Sequence, residues 1–170
     1  MHLLNAYFTP FALILTVFAI YFSALDKQTT YIAFGVLALT FVINWWVSKN
    51  EYKFFRWIQK IRVLTVIFNL LVTAVIFYLL GSYWAPTWLL FLIAPSASAM
   101  FMKRSHVFLI ALSASLLMLG TYYFKSLYLD MQLGTVHWAM ASIHAIFVIL
   151  LSLFVNSMSQ IILKVRDSGR

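Results

Sequence analysis

From Arg62 to Gly81 the chain reads RVLTVIFNLLVTAVIFYLLG. One cation opens the run, one amide interrupts it, and a few hydroxyls are the only other polar groups. Such a run has no polar face to turn toward water. At the rise of an α-helix, about 20 residues cross the roughly 30 Å of hydrocarbon in a bilayer. Five further runs have this character: Leu4 to Leu25, Tyr31 to Val47, Trp84 to Met102, His106 to Tyr128 and Val136 to Gln160. In lipid every backbone N–H and C=O needs a partner within the protein, so helices and closed barrels are the spanning structures. Barrel strands are shorter and alternate in polarity, which these runs do not. The expected fold class is therefore all-α: a polytopic membrane helical bundle of six transmembrane helices. Composition agrees, with 64% hydrophobic and 9% charged residues, against about half and a quarter in soluble domains. The first run lacks a basic flank and a small-x-small site and is too long for a cleavable signal peptide. The two three-span halves show no internal repeat.

Charge orients the bundle. Lys49, Lys53, Arg56, Lys60 and Arg62 lie between spans two and three, Lys103 and Arg104 between four and five, and Lys164, Arg166 and Arg170 after span six. Lys27 and Lys125 are the only basic residues on the opposite side. The positive-inside rule puts both termini and both basic loops in the cytoplasm, as in a bacterial inner membrane. Six crossings also return the chain to the side on which it began. Tyr21, Tyr31, Tyr83, Trp84, Trp88, Tyr122, Tyr123, Tyr128 and Trp138 form an outer aromatic belt, and Trp45, Trp46, Tyr52 and Trp57 an inner one. The outer loops are too short to form a domain that catches a ligand, so anything sensed from outside must enter the bundle or arrive through lipid. The basic excess lies on one side of a membrane, and no nucleic-acid partner is expected.

Several chemistries are absent. There is no cysteine, which removes disulfides, thiolate metal sites and cysteine nucleophiles. No Asp, Glu, Lys or Arg sits in mid-span, where ion-coupled pumps usually need one. H-E-x-x-H, G-x-S-x-G and phosphate-loop patterns are missing, and the membrane domain is not expected to be an enzyme itself.

What remains is a set of polar or amphipathic stretches. In KNEYKFFRWIQKIR, Lys49, Lys53, Arg56 and Lys60 fall on one helix face, while Phe54, Trp57, Ile58 and Ile61 lie largely on another. That pattern suits contact with anionic lipid or a cytoplasmic domain, and equally the positive-inside bias alone. In HWAMASIH, His137 and His144 are seven apart, on one face and about 10 Å apart along the axis. That spacing is too long for one shared metal ion, which prefers H-x-x-x-H. A b-type haem takes one histidine from each of two helices. The remaining histidines, His2 and His106, lie at the cytoplasmic ends, out of reach of His137, and would hold a haem only at the inner edge as shallow, exposed ligands, so haem is kept as an alternative cofactor and none is expected. The other readings are hydrogen bonding between helices, a pH sensor, and a ligand pocket lined by Trp84, Trp88, His137, Trp138, Ser142 and His144. Asn44, Asn69 and Asn156 fall at similar depth, either as static glue or as a polar layer that re-pairs when helices shift. Pro10 and Pro95 each break a helical bond within a span. Pro95 lies in IAPSASAM, whose small residues permit close helix approach.

The last span carries a further pattern. His137, Met140, His144, Phe147, Leu151, Phe154, Met158, Ile161 and Val165 alternate by three and four, a heptad seam. Beyond Gln160, only Ile161 and Val165 continue it, about one heptad. The expected division is a six-helix sensory domain over residues 1–160 and the start of a cytoplasmic signalling helix over 161–170. Asn44, Asn69, Asn156, Met158, Ile161 and Val165 are the candidate transmission residues. A frayed amphipathic helix end stays open as the plainer reading.

The organisation resembles the six-span input domain of vibrio-type quorum-sensing histidine kinases and the membrane anchors of class III adenylate cyclases. The resemblance rests on tiny outer loops, the basic second loop, and a sixth span leading straight into a signalling helix. It also rests on APTWLLFLIAPSASAMFMKRSHVFLIALSASLLMLGTYY, which is similar to that group's aromatic-led fourth span, basic turn and Ser/Ala-bearing fifth span, and on FVNSMSQ. Trp88 matches a ligand-contacting tryptophan of those kinases, but the serine three residues later is Phe91 here, so their ligand chemistry is not carried over. The resemblance implies a receptor that binds a small lipophilic molecule between spans four and six and biases a cytoplasmic kinase or cyclase domain, and with the seam of the last span the expected state is a homodimer. The alternatives are a haem cytochrome or redox sensor, and a small transporter or structural membrane subunit.

Overall fold

The structure is a computed structural model that describes residues 2–22, 26–50, 57–80, 85–128 and 134–168, with side chains for all of these except 2–10, 85–86, 128 and 166–167. The described residues form α1 (His2–Phe22), α2 (Lys27–Asn50), α3 (Ile58–Leu80), a 3₁₀ segment (Ala85–Leu89), α4 (Leu90–Ala99), α5 (Arg104–Tyr128) and α6 (Thr135–Ser168), with no strand among them. Four helices are long and apolar enough to cross a membrane: Lys27–Asn50, Ile58–Leu80, Arg104–Leu127 and Thr135–Val165. The all-helical, membrane-compatible class read from the apolar runs is what the chain forms.

The fourth run departs from a single long helix. Over the expected span Trp84 to Met102, a five-residue 3₁₀ segment leads into a ten-residue α-helix. Pro95 explains part of this, because it offers no N–H to the preceding turn and its ring crowds the carbonyl four residues back. After Pro95 the helix tightens and stops. The amides of Met100 and Phe101 donate to the carbonyls three residues earlier, Ala97 and Ser98 (3.3 and 3.2 Å), and the Ser98 hydroxyl donates to the Pro95 carbonyl at 2.7 Å.

The chain divides into two compact units, Met1–Leu90 and Phe91–Arg170. In the first, α3 buries Val66, Leu70, Ile76, Phe77 and Leu80, while α1 buries Thr16, Ala19 and Ile20. α2 buries only Ala33, and its Ile32, Phe34, Leu39, Phe41 and Val42 are exposed. A helix that is apolar on every side yet buried on almost none has lipid as its natural solvent. Its start is set by Asp26. Oδ2 accepts from the Thr29 amide at 3.0 Å, the N-cap bond that satisfies one of the orphan donors of a first turn. That bond from Thr29 holds the exposed carboxyl below the usual carboxylate range.

The second unit is built on an antiparallel α5–α6 hairpin. On α5 the buried positions are Val107, Ala111, Ala114, Ser115, Met118, Thr121 and Lys125, and all but Ser115 alternate by four and three. On α6 the buried positions are Ala141, Ala145, Val148, Ser152 and Asn156. Most of these side chains are small. Lipid tails are as apolar as leucine, so burying leucine between membrane helices gains little. Small residues instead let backbones approach and pack. Lys125, expected on the outer side, lies in the last turn of α5 and is buried.

Candidate functional site

The buried polar residues of α5 and α6 are Ser115, Thr121, Lys125, Ser152 and Asn156. Midway along the α5–α6 seam, the buried Ser115 hydroxyl donates to the Ala145 carbonyl of α6 at 2.8 Å. Most other hydroxyls in the helices donate instead to a carbonyl four residues back, as Ser152 does to Val148 (2.6 Å) and Thr121 to Leu117 (2.7 Å). Those bonds satisfy the hydroxyl within its own helix. Ser115 ties two helices together.

A second tie lies toward the other end of α6. The Asn156 side-chain amide donates to two backbone carbonyls, Ala99 at 2.8 Å and Met102 at 3.1 Å. Both belong to the end of α4 and the turn after it, where the last carbonyls of a helix lack intrahelical partners. Asn156 is 1% exposed, so in lipid those carbonyls would otherwise meet hydrocarbon. Ser159, a turn further along α6, donates to Met100 at 3.5 Å. The α4–α5 turn is thus held by side chains of α6.

Beside this turn is an open groove of ≈ 630 Å³ lined by Lys103, Arg104, Ser105, Phe108 and Leu153. Its floor combines two cations and a hydroxyl with two apolar side chains. The positive-inside count had given Lys103 and Arg104 no further role.

The sequence-derived pocket residues are spread along the chain. Trp84 lies outside the described residues. Trp88 is half-buried in the 3₁₀ segment of the first unit. The other four are on α6: His137 and Ser142 exposed, Trp138 and His144 half-buried. The Ser142 hydroxyl donates to the Trp138 carbonyl at 2.9 Å. Ser142 and His144 are two residues apart, about 200° of rotation around a helix. His137 and His144 therefore flank the α5-facing stripe on one side, and Trp138 and Ser142 flank it on the other. His106, exposed near the start of α5, and His137 lie about 25 Å apart along the hairpin, given the Ser115–Ala145 register. These two cannot clasp one haem within a single hairpin. Among the described residues, no group of three or more His, Cys, Asp or Glu side chains could hold a metal ion.

The asparagines separate into two arrangements. In the first unit Asn44 of α2 and Asn69 of α3 form a reciprocal amide pair, each donating to the other's oxygen at 2.8 and 3.3 Å. Asn156 bonds backbone, as above. Near the ends of α2 and α3, Lys49 stacks over Trp45 at 5.0 Å and Lys60 over Trp57 at 4.5 Å, cation–π contacts suited to a membrane interface. Residues 51–56, which include Lys53, Phe54 and Arg56 of the amphipathic stretch, lie outside the described residues.

Along α6 the heptad stripe faces away from α5. Met140, Phe147, Phe154, Met158, Ile161 and Val165 are all exposed. Spacing alone singled out this outward stripe. The packed face, Ala141 to Asn156, was marked in the sequence by small size. No protein-family model matches the chain, and no curated protein or solved structure is significantly similar to it.

Proposed function

We propose that the chain is a sensory input domain of a bacterial inner membrane, crossing six times with both termini in the cytoplasm, and that α6 carries its signal outward. The observation behind this reading is the length of α6. It is one unbroken helix of 34 residues, about 51 Å at 1.5 Å per residue, against about 30 Å of hydrocarbon. Some 20 Å must stand outside the lipid core or tilt within it. The end that holds Lys164 is the basic one, and Met158, Ile161 and Val165 keep an exposed apolar stripe running into it. A stripe that leaves lipid while still exposed favours a second copy of the chain, paired through this seam.

In this reading a small lipophilic ligand enters the second unit beside His137, Trp138, Ser142 and His144 of α6. It acts by shifting the population of α6 positions. Asn156 holds the unliganded arrangement through the Ala99 and Met102 carbonyls, and the paired stripe passes the change to an output domain of histidine-kinase or cyclase type. The chain has no cysteine, so single-cysteine variants are clean probes. Oxidative cross-linking in native membranes should be strong at Met158, Ile161 and Val165 and weak at Gln160 and Lys164. Uniform cross-linking, or none at any of the five positions, would sink the paired-seam reading.

A further inference from the structure

We infer that the groove at the α4–α5 turn is a binding site for the phosphate headgroup of an anionic phospholipid, with its acyl chain lying along Phe108 and Leu153. This rests on the reading that α5 crosses a bilayer. Lys103, Arg104 and Ser105 line one part of the groove, and all three are exposed. Phe108, 41% exposed, and Leu153 line the rest. The site therefore changes from cationic to apolar over about one helical turn, as a phospholipid changes from headgroup to chain.

Charge complementarity selects the occupant. The chain has four acidic residues, Asp26, Glu51, Asp130 and Asp167. None falls in α5 or in α6 before Asp167, so no carboxylate on the hairpin lies near enough along the chain to neutralise Lys103 or Arg104. Arginine offers a planar fork matched to phosphate oxygens, and lysine adds a point charge. A serine hydroxyl beside them donates a third bond. A neutral lipid would leave the cation pair uncompensated, and a free anion would leave Phe108 and Leu153 uncovered.

The place of the groove gives the lipid a consequence. Lys103 and Arg104 directly follow Met102, whose carbonyl Asn156 holds, and Leu153 lies on α6 less than one turn from Asn156. A lipid seated here clasps the α4–α5 turn and α6 from the membrane side, while Asn156 clasps them from within. The groove thus belongs to the joint that the proposed signalling helix must loosen to move.

The test uses the full chain purified from membranes. Carbonate extraction first checks membrane integration, so failure there breaks the spanning reading rather than the lipid site. Native mass spectrometry in detergent, with added phosphatidylglycerol or phosphatidylcholine, then reads retained lipid. The wild type should retain phosphatidylglycerol in preference. The K103Q/R104Q variant should lose roughly 30-fold in that retention, from about a fivefold effect per cation. The K27Q/K164Q variant, which loses the same charge at two exposed positions elsewhere, should keep it. Equal loss in both variants would reduce the effect to overall charge and overturn the site. So would retention in K103Q/R104Q, or equal uptake of phosphatidylcholine. Line broadening of inorganic phosphate by the protein at the same concentration would reassign the groove to a free anion and overturn the lipid.

Discussion

The two helix pairs α2–α3 and α5–α6 solve one problem in different ways. Both join apolar helices whose outer surfaces carry large exposed side chains. In α5–α6 the facing residues are small, and the backbones come close enough for a serine on one helix to reach a carbonyl on the other. In α2–α3 the described core of α2 is Ala33 alone, and the link is a pair of amides, Asn44 and Asn69. Without a hydrophobic difference between lipid and leucine, the choices are close packing and polar pairing. The hairpin uses mainly the first, the α2–α3 pair mainly the second.

This contrast is open to experiment, and the seam should show the largest effect. Ala111→Leu and Ala145→Leu force bulk into a packed helix contact. Each should cost about 1–3 kcal/mol, read as reversible unfolding of the full chain in mixed micelles. The same change at Ala38, exposed on α2, should be near neutral. A seam that tolerates leucine as well as α2 does would erase the distinction. Asn156→Leu comes next, with about 1–3 kcal/mol for carbonyls left without a donor in an apolar setting. Spectroscopic labels on the α4–α5 turn should then show increased motion.

The amide pair is best approached as a cycle. Asn44→Leu and Asn69→Leu should each destabilise by about 1 kcal/mol, because each leaves its partner's amide facing hydrocarbon. The double variant should cost less than the sum of the two. Strict additivity would mean that the amides do not interact. Ser115→Ala should lose about 0.6 kcal/mol, near the mean for hydrogen bonds between membrane helices.

The smallest effect lies at the α2 cap. The folded-state pKa of Asp26 is depressed, so its contribution is present above the ordinary carboxyl value of 3.8 and is lost as pH falls through the folded value. Asp26→Ala should remove that acid-side component of α2 fraying and leave stability at neutral and alkaline pH without further pH dependence from this group. Amide exchange at Thr29 reads it directly.

Apolar length made the helices themselves legible, because few alternatives to a helix exist for a long run in lipid. Asn44 and Asn69 were legible as cross-helix partners for a similar reason, since two amides at one depth have few other donors to meet. Inside and outside were much less so. In a soluble helix an apolar stripe marks the buried face, but in lipid apolarity is everywhere and size becomes the marker. The stripe from His137 to Val165 stood out by spacing and faces outward, whereas Ala141, Ala145 and Ser152 were inconspicuous and face α5. Asn156 was assigned a place beside the other asparagines, but its partners are backbone carbonyls, which every residue carries and no pattern of side chains reveals. The short α4 was half legible. Pro95 announced a break, but the turn that follows depends on a hydroxyl at Ser98 and amides at Met100 and Phe101.

The joint at Asn156 has a consequence for how α6 is free to travel. Ser152, Asn156 and Gln160 stand one turn apart on the same line of the helix, and each carries a hydrogen-bond donor. Bringing Gln160 opposite the end of α4, so that its carbonyls again meet a donor, takes a shift of four residues, about 6 Å, with a turn of about 40°; the Ser152 hydroxyl already donates to Val148. Smaller slides leave them without one. The α4 end thus opposes any displacement of α6 shorter than that step.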